Sequence, residues 1–179
     1  MSSSIDTSLV HLRRNYDDYR TVRMSRDYYA CRLSQVKKWN LLYEVVLAIG
    51  ASGTVAGWYL WQTPSGKTAW ALFAGLVAIL SILKPILQLP KEIERYSKLH
   101  TGYSSLYYDL REHVDEIQND GGITTTRKTA LMEASKRYKD LALQDDPNPS
   151  KRLLERCQSE VNRVTPSFDE WHSKHSKTN

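Results

Sequence analysis

Cysteine is scarce in this chain: Cys31 and Cys157 are the only two, each in a polar stretch patterned as a helix. A secreted, disulfide-stapled scaffold is therefore excluded, and both thiols are expected to be reduced. The first residues, MSSSIDTSLV, lack a basic segment followed by an apolar core, so no cleavable signal peptide is expected. A net charge of +5 and a pI near 9.1 suit nucleic acid or an anionic membrane surface. With neither a run of like charges nor a recognisable nucleic-acid module, nucleic acid is disfavoured and the membrane is the simpler partner. The most telling scarcity is of charge: from Leu41 to Leu89, Lys67 and Lys84 are the only charges after Glu44.

A mean hydropathy of -0.52 averages that interval with a long polar majority. Leu41 to Trp61, about 21 residues, makes a helix of roughly 31 Å, which matches the hydrocarbon thickness of a bilayer. The second apolar segment, Thr68 to Leu83, reaches spanning length if it continues through Lys84 and Pro85 to Leu89, and Pro85 is expected to kink its end. Gln62 to Lys67 contains Pro64, Ser65 and Gly66 and reads as a turn, which makes the two segments an antiparallel hairpin. Trp58, Tyr59, Trp61 and Trp70 flank this turn as an interfacial aromatic belt. Arg23, Arg26, Arg32, Lys37 and Lys38 precede the first span, and Lys84, Lys91, Arg95 and Lys98 end or follow the second. The positive-inside rule then puts both termini in the cytoplasm. The competing reading is a hairpin buried in a soluble bundle, which needs partner helices with broad apolar faces that the rest of the chain does not offer.

Glu44 and Lys84 fall at similar depth near the cytoplasmic end of the hairpin. Either they form an intramembrane ion pair or each snorkels separately to the interface. Gly53 with Gly57, and Ala71 with Gly75, are small-residue steps suited to close helix packing. Ser52, Thr54 and Ser81 are the few polar groups available to face water if several hairpins surround a pore.

Outside the hairpin the pattern is helical and polar, so the fold class is all-α. Residues 1–40 carry an amphipathic stripe of Leu9, Leu12, Tyr16, Tyr19, Val22, Tyr29, Leu33 and Val36. Residues 90–119 carry a coiled-coil-like seam of Ile93, Tyr96, His100, Tyr103, Tyr107, Leu110, Val114 and Ile117. The partner of that seam is the amino-terminal helix of the same chain or a neighbouring subunit. After the breaker Asn119–Gly122, residues 123–165 read as a helical pair joined by the turn DDPNPS, with Ser150 as an N-cap. Residues 166–179 read as a flexible tail in which Phe168 and Trp171 are available for docking.

No catalytic constellation is apparent, so the chain is read as a non-enzyme needing no cofactor. TPSGKT at 63–68 ends like a phosphate-binding loop but lacks the motif's first glycine and follows an apolar helix, so it is read as a turn. His172 and His175 have no Cys or carboxylate partners at metal-ligand spacing, and no metal site is assigned. Arg13, Arg14, Arg20, Arg23 and Arg26 are candidates to contact an anionic ligand or lipid, against the plainer role of a solvated face and topology signal.

The order of a Tyr- and Arg-bearing helix (YDDYRTVRMSRDYYACRLSQVKKWN), a tight apolar hairpin and a second Tyr-rich helix (KEIERYSKLHTGYSSLYYDLREHVDEI) resembles the SLATT family, the SMODS- and SLOG-associating two-transmembrane effectors of bacterial conflict systems. The likeness covers about Leu9 to Leu143. It implies an antiphage effector in the inner membrane that oligomerises or opens when a nucleotide signal or a sensor protein triggers it, breaching the membrane. The alternative is a non-catalytic membrane anchor or scaffold that recruits a partner through its cytoplasmic helices.

Overall fold

A computed structural model describes residues 2–60, 63–120 and 125–175, and all regular structure among them is helical. The order is α1 (Ser2–Leu60), α2 (Pro64–Leu87), α3 (Leu89–Asp120), α4 (Thr125–Ala142), α5 (Lys151–Val164) and α6 (Phe168–His175). The chain from Ser2 to Ile49 contains neither proline nor glycine. Nothing in it interrupts the backbone ladder, and α1 passes unbroken from the amphipathic pattern into the apolar one. The helices form two units, Met1–Cys31 with Tyr96–Asn179, and Arg32–Arg95. The divisions fall inside α1 and α3, some way from the sequence boundaries at 40 and 90.

The first unit has its own core. Tyr16, Val22, Tyr28 and Tyr29 of α1 are buried, with Tyr96, Leu99, Tyr103, Leu106, Tyr107, Leu110 and Val114 of α3. The seam of α3 finds its partner within the same chain. Tyr19 stacks on Tyr107 with ring centroids 5.2 Å apart, and Tyr29 stacks on Tyr103 at 5.6 Å. Offset ring stacking adds to simple area burial. Leu99 and Leu106 lie outside the expected seam yet are nearly inaccessible, so α3 buries a wider face than a two-helix coil requires. Leu131 and Ala134 of α4, and Leu153, Cys157 and Val161 of α5, complete the core. At Gly102 an added Cβ would meet Leu141 Cδ2 at 2.6 Å, so glycine permits the close approach of α3 and α4.

The carboxyl-terminal segment departs from the expectation of a flexible tail. Residues 168–175 form α6, and Phe168 is buried in a cluster with Tyr16 and Val114, bordered by Leu12, Tyr19 and Trp171. The Tyr16 hydroxyl donates to the Pro166 carbonyl at 3.0 Å. Two aromatic side chains on one helical turn hold enough apolar area to dock a short polar segment, which a composition-based reading discounts.

The turn between α4 and α5 is held by tyrosine hydroxyls. Asp145 Oδ1 accepts from Tyr29 at 2.9 Å and from Tyr103 at 2.8 Å, and the Asp146 backbone N–H donates back to the Tyr29 hydroxyl at 3.0 Å. Ser150 is the N-cap of α5, but its side chain makes no capping bond. Its backbone N–H donates to the Tyr28 hydroxyl at 3.1 Å.

Candidate functional site

The second unit is built from the carboxyl-terminal half of α1, all of α2 and the start of α3. Its chemistry is apolar, and its connections show why. Thr63 caps α2 by accepting from the Gly66 N–H at 3.2 Å, and Pro64 takes the first helical position, where its missing N–H removes nothing. The segment expected to be a turn up to Lys67 is therefore mostly the first turn of α2. The phosphate-loop look-alike is a helix cap. At the other end, α2 continues through Pro85 to Leu87, and the reversal falls at Gln88, which adopts a left-handed φ of 43°. The Gln88 carbonyl then receives the N–H groups of Lys91 and Glu92, so one residue closes α2 and opens α3.

Within this unit α1 and α2 pack along narrow facing stripes. Gly66 is buried, and Trp70, Phe73, Val77 and Leu80 are half-buried at three- and four-residue spacing; of these, Val77 meets Gly50 and Leu80 meets Tyr43 of α1. Gly50 marks the close approach, because an added Cβ would lie 2.6 Å from Val77 Cγ1. The Tyr43 hydroxyl donates to the Leu80 carbonyl. Pro85 supplies no N–H to the Ser81 carbonyl, one residue beyond the tyrosine's acceptor. Sequence periodicity passed over Tyr43. A tyrosine one residue before Glu44 in an apolar run, with a proline in the facing segment, was the available signal.

Outside those stripes the apolar side chains are uncovered. On α2, Leu72 is 72% exposed, Ile79 58%, Ile82 69% and Ile86 68%, and Trp39, Leu41, Leu42, Val45 and Ile49 are exposed on α1. The apolar window of α2 has a mean hydropathy of 2.1 and none of it is buried. Its 24 residues give a length of about 36 Å, enough to cross a bilayer. Among the described residues it is the one helix that meets the length and composition of a membrane span.

The residues singled out from sequence are distributed as follows. Glu44 accepts a hydrogen bond from Asn40 at 3.0 Å, and no ion pair joins it to Lys84 among the described residues; both side chains are exposed. Ala71 and Gly75 are exposed, with nothing within 4 Å of a Cβ built at Gly75, and the close approach described above falls at Gly50. Ser81 donates to the Val77 carbonyl at 2.8 Å, which satisfies its hydroxyl inside its own helix. Ser52, Gly53, Thr54 and Gly57 lie on α1, and their side-chain surroundings fall outside the described residues.

The arginines are largely engaged within the first unit. Arg20 donates to Asn162 at 2.8 Å and Arg23 to Thr165 at 2.5 Å. Arg26 pairs with Asp27 at 2.7 Å and lies over the Tyr107 ring at 4.2 Å. Arg13 is 3.7 Å from Asp169 and 5.9 Å from the Phe168 ring centroid. Arg14 is exposed and acts on Asp18, whose carboxyl is raised by burial against the lowering pull of that guanidinium. These contacts tie α1 to α3, α5 and α6. An open depression of about 460 Å³ between Met24 and the α5 residues Leu154, Glu155, Gln158, Ser159 and Asn162 has no metal-type donor set. Among the described residues no three His, Cys, Asp or Glu side chains gather as metal ligands do.

Scans against family models, characterised proteins and solved structures return no match for this chain.

Proposed function

We propose that residues 41–89 form a two-helix transmembrane hairpin with both chain termini in the cytoplasm, and that the chain is a non-catalytic, SLATT-like effector of a bacterial conflict system. In the resting state it sits in the inner membrane. When a nucleotide signal or a sensor protein triggers it, several hairpins assemble and breach the bilayer.

The observation that carries this reading is the uncovered apolar surface of α2, in a chain whose first unit has a buried core of its own. In water, each exposed Leu or Ile of that surface forgoes about 1.5–3 kcal/mol of burial, and lipid supplies the cover. Basic residues clustered at the α1 and α3 ends of the unit, against Lys67 alone near the turn, support the orientation. Ala71 and Gly75, turned outward, leave room for a second copy to approach α2 closely. Ser81 adds little to a water-lined path, since its hydroxyl is already bonded, so Ser52 and Thr54 carry more of that role.

Induced expression in a bacterium, followed with a membrane-potential dye and growth, tests the effector reading. Depolarisation and arrest upon triggering are expected, and unchanged potential and growth in the presence of the trigger refute it. The anchor reading draws on the first unit having a buried core of its own, apart from the hairpin. Replacing residues 41–89 by an unrelated hairpin separates the two: an anchor retains function, and an effector loses it while remaining in the membrane.

A further inference from the structure

Four amines gather at one end of the second unit. Lys37 and Lys38 of α1, Lys84 of α2 and Lys91 of α3 are all exposed, and among the described residues none of them takes part in an ion pair. Contacts between the helices bring them together. Gly50 meets Val77 and the Tyr43 hydroxyl meets the Leu80 carbonyl, so α1 and α2 run antiparallel. Counted along both helices from these contacts, Lys37 and Lys38 come level with the junction of α2 and α3, and Lys84 stands roughly 7 Å away along the pair. Lys91 is fixed at the same junction, its N–H donating to the Gln88 carbonyl at 2.9 Å. The carboxylates nearby are otherwise placed: Glu44 accepts from Asn40, and Glu92 lies in the first turn of α3, where a negative charge suits the helix dipole. Arg32, Glu94 and Arg95 are engaged in interactions of their own.

An apolar surface begins directly beside these amines. Trp39, 66% exposed, follows Lys38 and precedes the bare Leu41 and Leu42, while Ile82 and Ile86 are bare to either side of Lys84. Free phosphate, an acidic peptide or a nucleic acid satisfies the amines and leaves those side chains in water. A ligand that carries negative charge on an apolar tail covers both, and an exposed indole at the boundary is the residue type that belongs between headgroup and hydrocarbon.

We infer that Lys37, Lys38, Lys84 and Lys91 form a headgroup site for an anionic phospholipid, its phosphate among the amines and its acyl chains along Leu41, Ile82 and Ile86. The inference rests on the hairpin reading and adds to it a choice among lipids. The long flexible stem of Lys84 extends its amine toward the junction while its methylenes stay on apolar surface. Each lysine near an anionic bilayer surface enriches the lipid about fivefold. Arg20, Arg23 and Arg26, candidates for the same role from sequence, are instead turned to Asn162, Thr165 and Asp27. At the opposite end of the unit Lys67 is alone.

The experiment is lysine footprinting of the full chain in a zwitterionic detergent, with brief acetylation read by mass spectrometry. Phosphatidylglycerol, phosphatidylcholine, inorganic phosphate or polyglutamate is added at matched ionic strength. Phosphatidylglycerol should slow acetylation of the four lysines about fivefold or more, with Lys67 slowed less than about twofold. The other three additives should leave all five rates near those of the untreated chain. In Lys37→Gln with Lys38→Gln, both surface changes, the protection of Lys84 and Lys91 by phosphatidylglycerol should fall to that of Lys67. Equal protection of Lys67 and the four, protection by inorganic phosphate or polyglutamate as strong as by phosphatidylglycerol, or no protection at all overturns the site. Those results leave the hairpin standing; it fails instead if the parent chain stays in solution as a compact particle once detergent is removed.

Discussion

Leu76 sits at the centre of α2, half-exposed, flanked by uncovered apolar side chains one turn away on both sides. In lipid, Leu76→Arg exchanges a residue that favours insertion by about 0.5 kcal/mol for one that opposes it by about 3 kcal/mol at mid-helix. The ten Leu, Ile, Val and Phe residues of α2 together favour insertion by roughly 3–6 kcal/mol on the same scale. One arginine therefore removes most of that margin, and a second at Ile79 reverses its sign. If water surrounded this helix instead, Leu76→Arg would be an ordinary surface change, within about 0.5 kcal/mol of neutral. The assay is the fraction of protein that resists alkaline carbonate extraction from membranes, read for the parent, Leu76→Arg and the double variant Leu76→Arg with Ile79→Arg. A graded fall, partial in the single variant and near complete in the double, is expected. If both variants remain as membrane-bound as the parent, or if the parent itself is extracted, the insertion argument fails.

Two further outcomes follow from the first unit. Asp145→Ala strips the acceptor from the Tyr29 and Tyr103 hydroxyls; with charge-assisted bonds at about 1.5–3 kcal/mol each, sharing one oxygen and hence not additive, the loss should be about 3 kcal/mol. That corresponds to a fall in Tm of roughly 6–12 °C by tyrosine near-ultraviolet circular dichroism, and a fall under about 1 °C would contradict it. The second outcome is alkaline instability. Burial, chiefly, raises Tyr19, Tyr29 and Tyr103 above the ordinary tyrosine value of 10.0. Because the folded values are raised, this stabilisation is complete below pH 10 and is lost as pH climbs toward them, the unfolded chain releasing its phenolic protons first. In an alkaline titration their phenolate absorbance should appear only together with loss of helix signal. Phenolate formation by all three with the helices intact would contradict the burial argument.

Much of the fold was legible because helical periodicity is a local property. The stripe of Tyr16, Tyr19, Val22 and Tyr29 and the seam of Tyr96, Tyr103, Tyr107 and Leu110 are spelled out by spacing alone, and they do face one another. What escaped notice depends on contacts between residues distant in sequence. The docking of Phe168 on Tyr16 and the clasp of Tyr29 and Tyr103 on Asp145 join positions more than forty residues apart, and no spacing rule relates them. The candidate site divides the same way. Its apolar character was plain from the missing charges, whereas the choice of Gly50 over Gly75 as the approach point requires knowing which face of α2 meets α1. Pro64 and Ser65 were read as a turn because their turn propensity is strong, yet Thr63 ahead of them turns the same residues into a helix start.

The sequence by itself determined the class of structure: long helices wherever proline and glycine are absent, and an interval too poor in charge to gain much from water. Only tertiary structure decided which sides of those helices are closed, since burial depends on what stands opposite a side chain and not on its neighbours along the chain. It drew four arginines into contacts with residues distant in sequence and left the outer face of α2 bare.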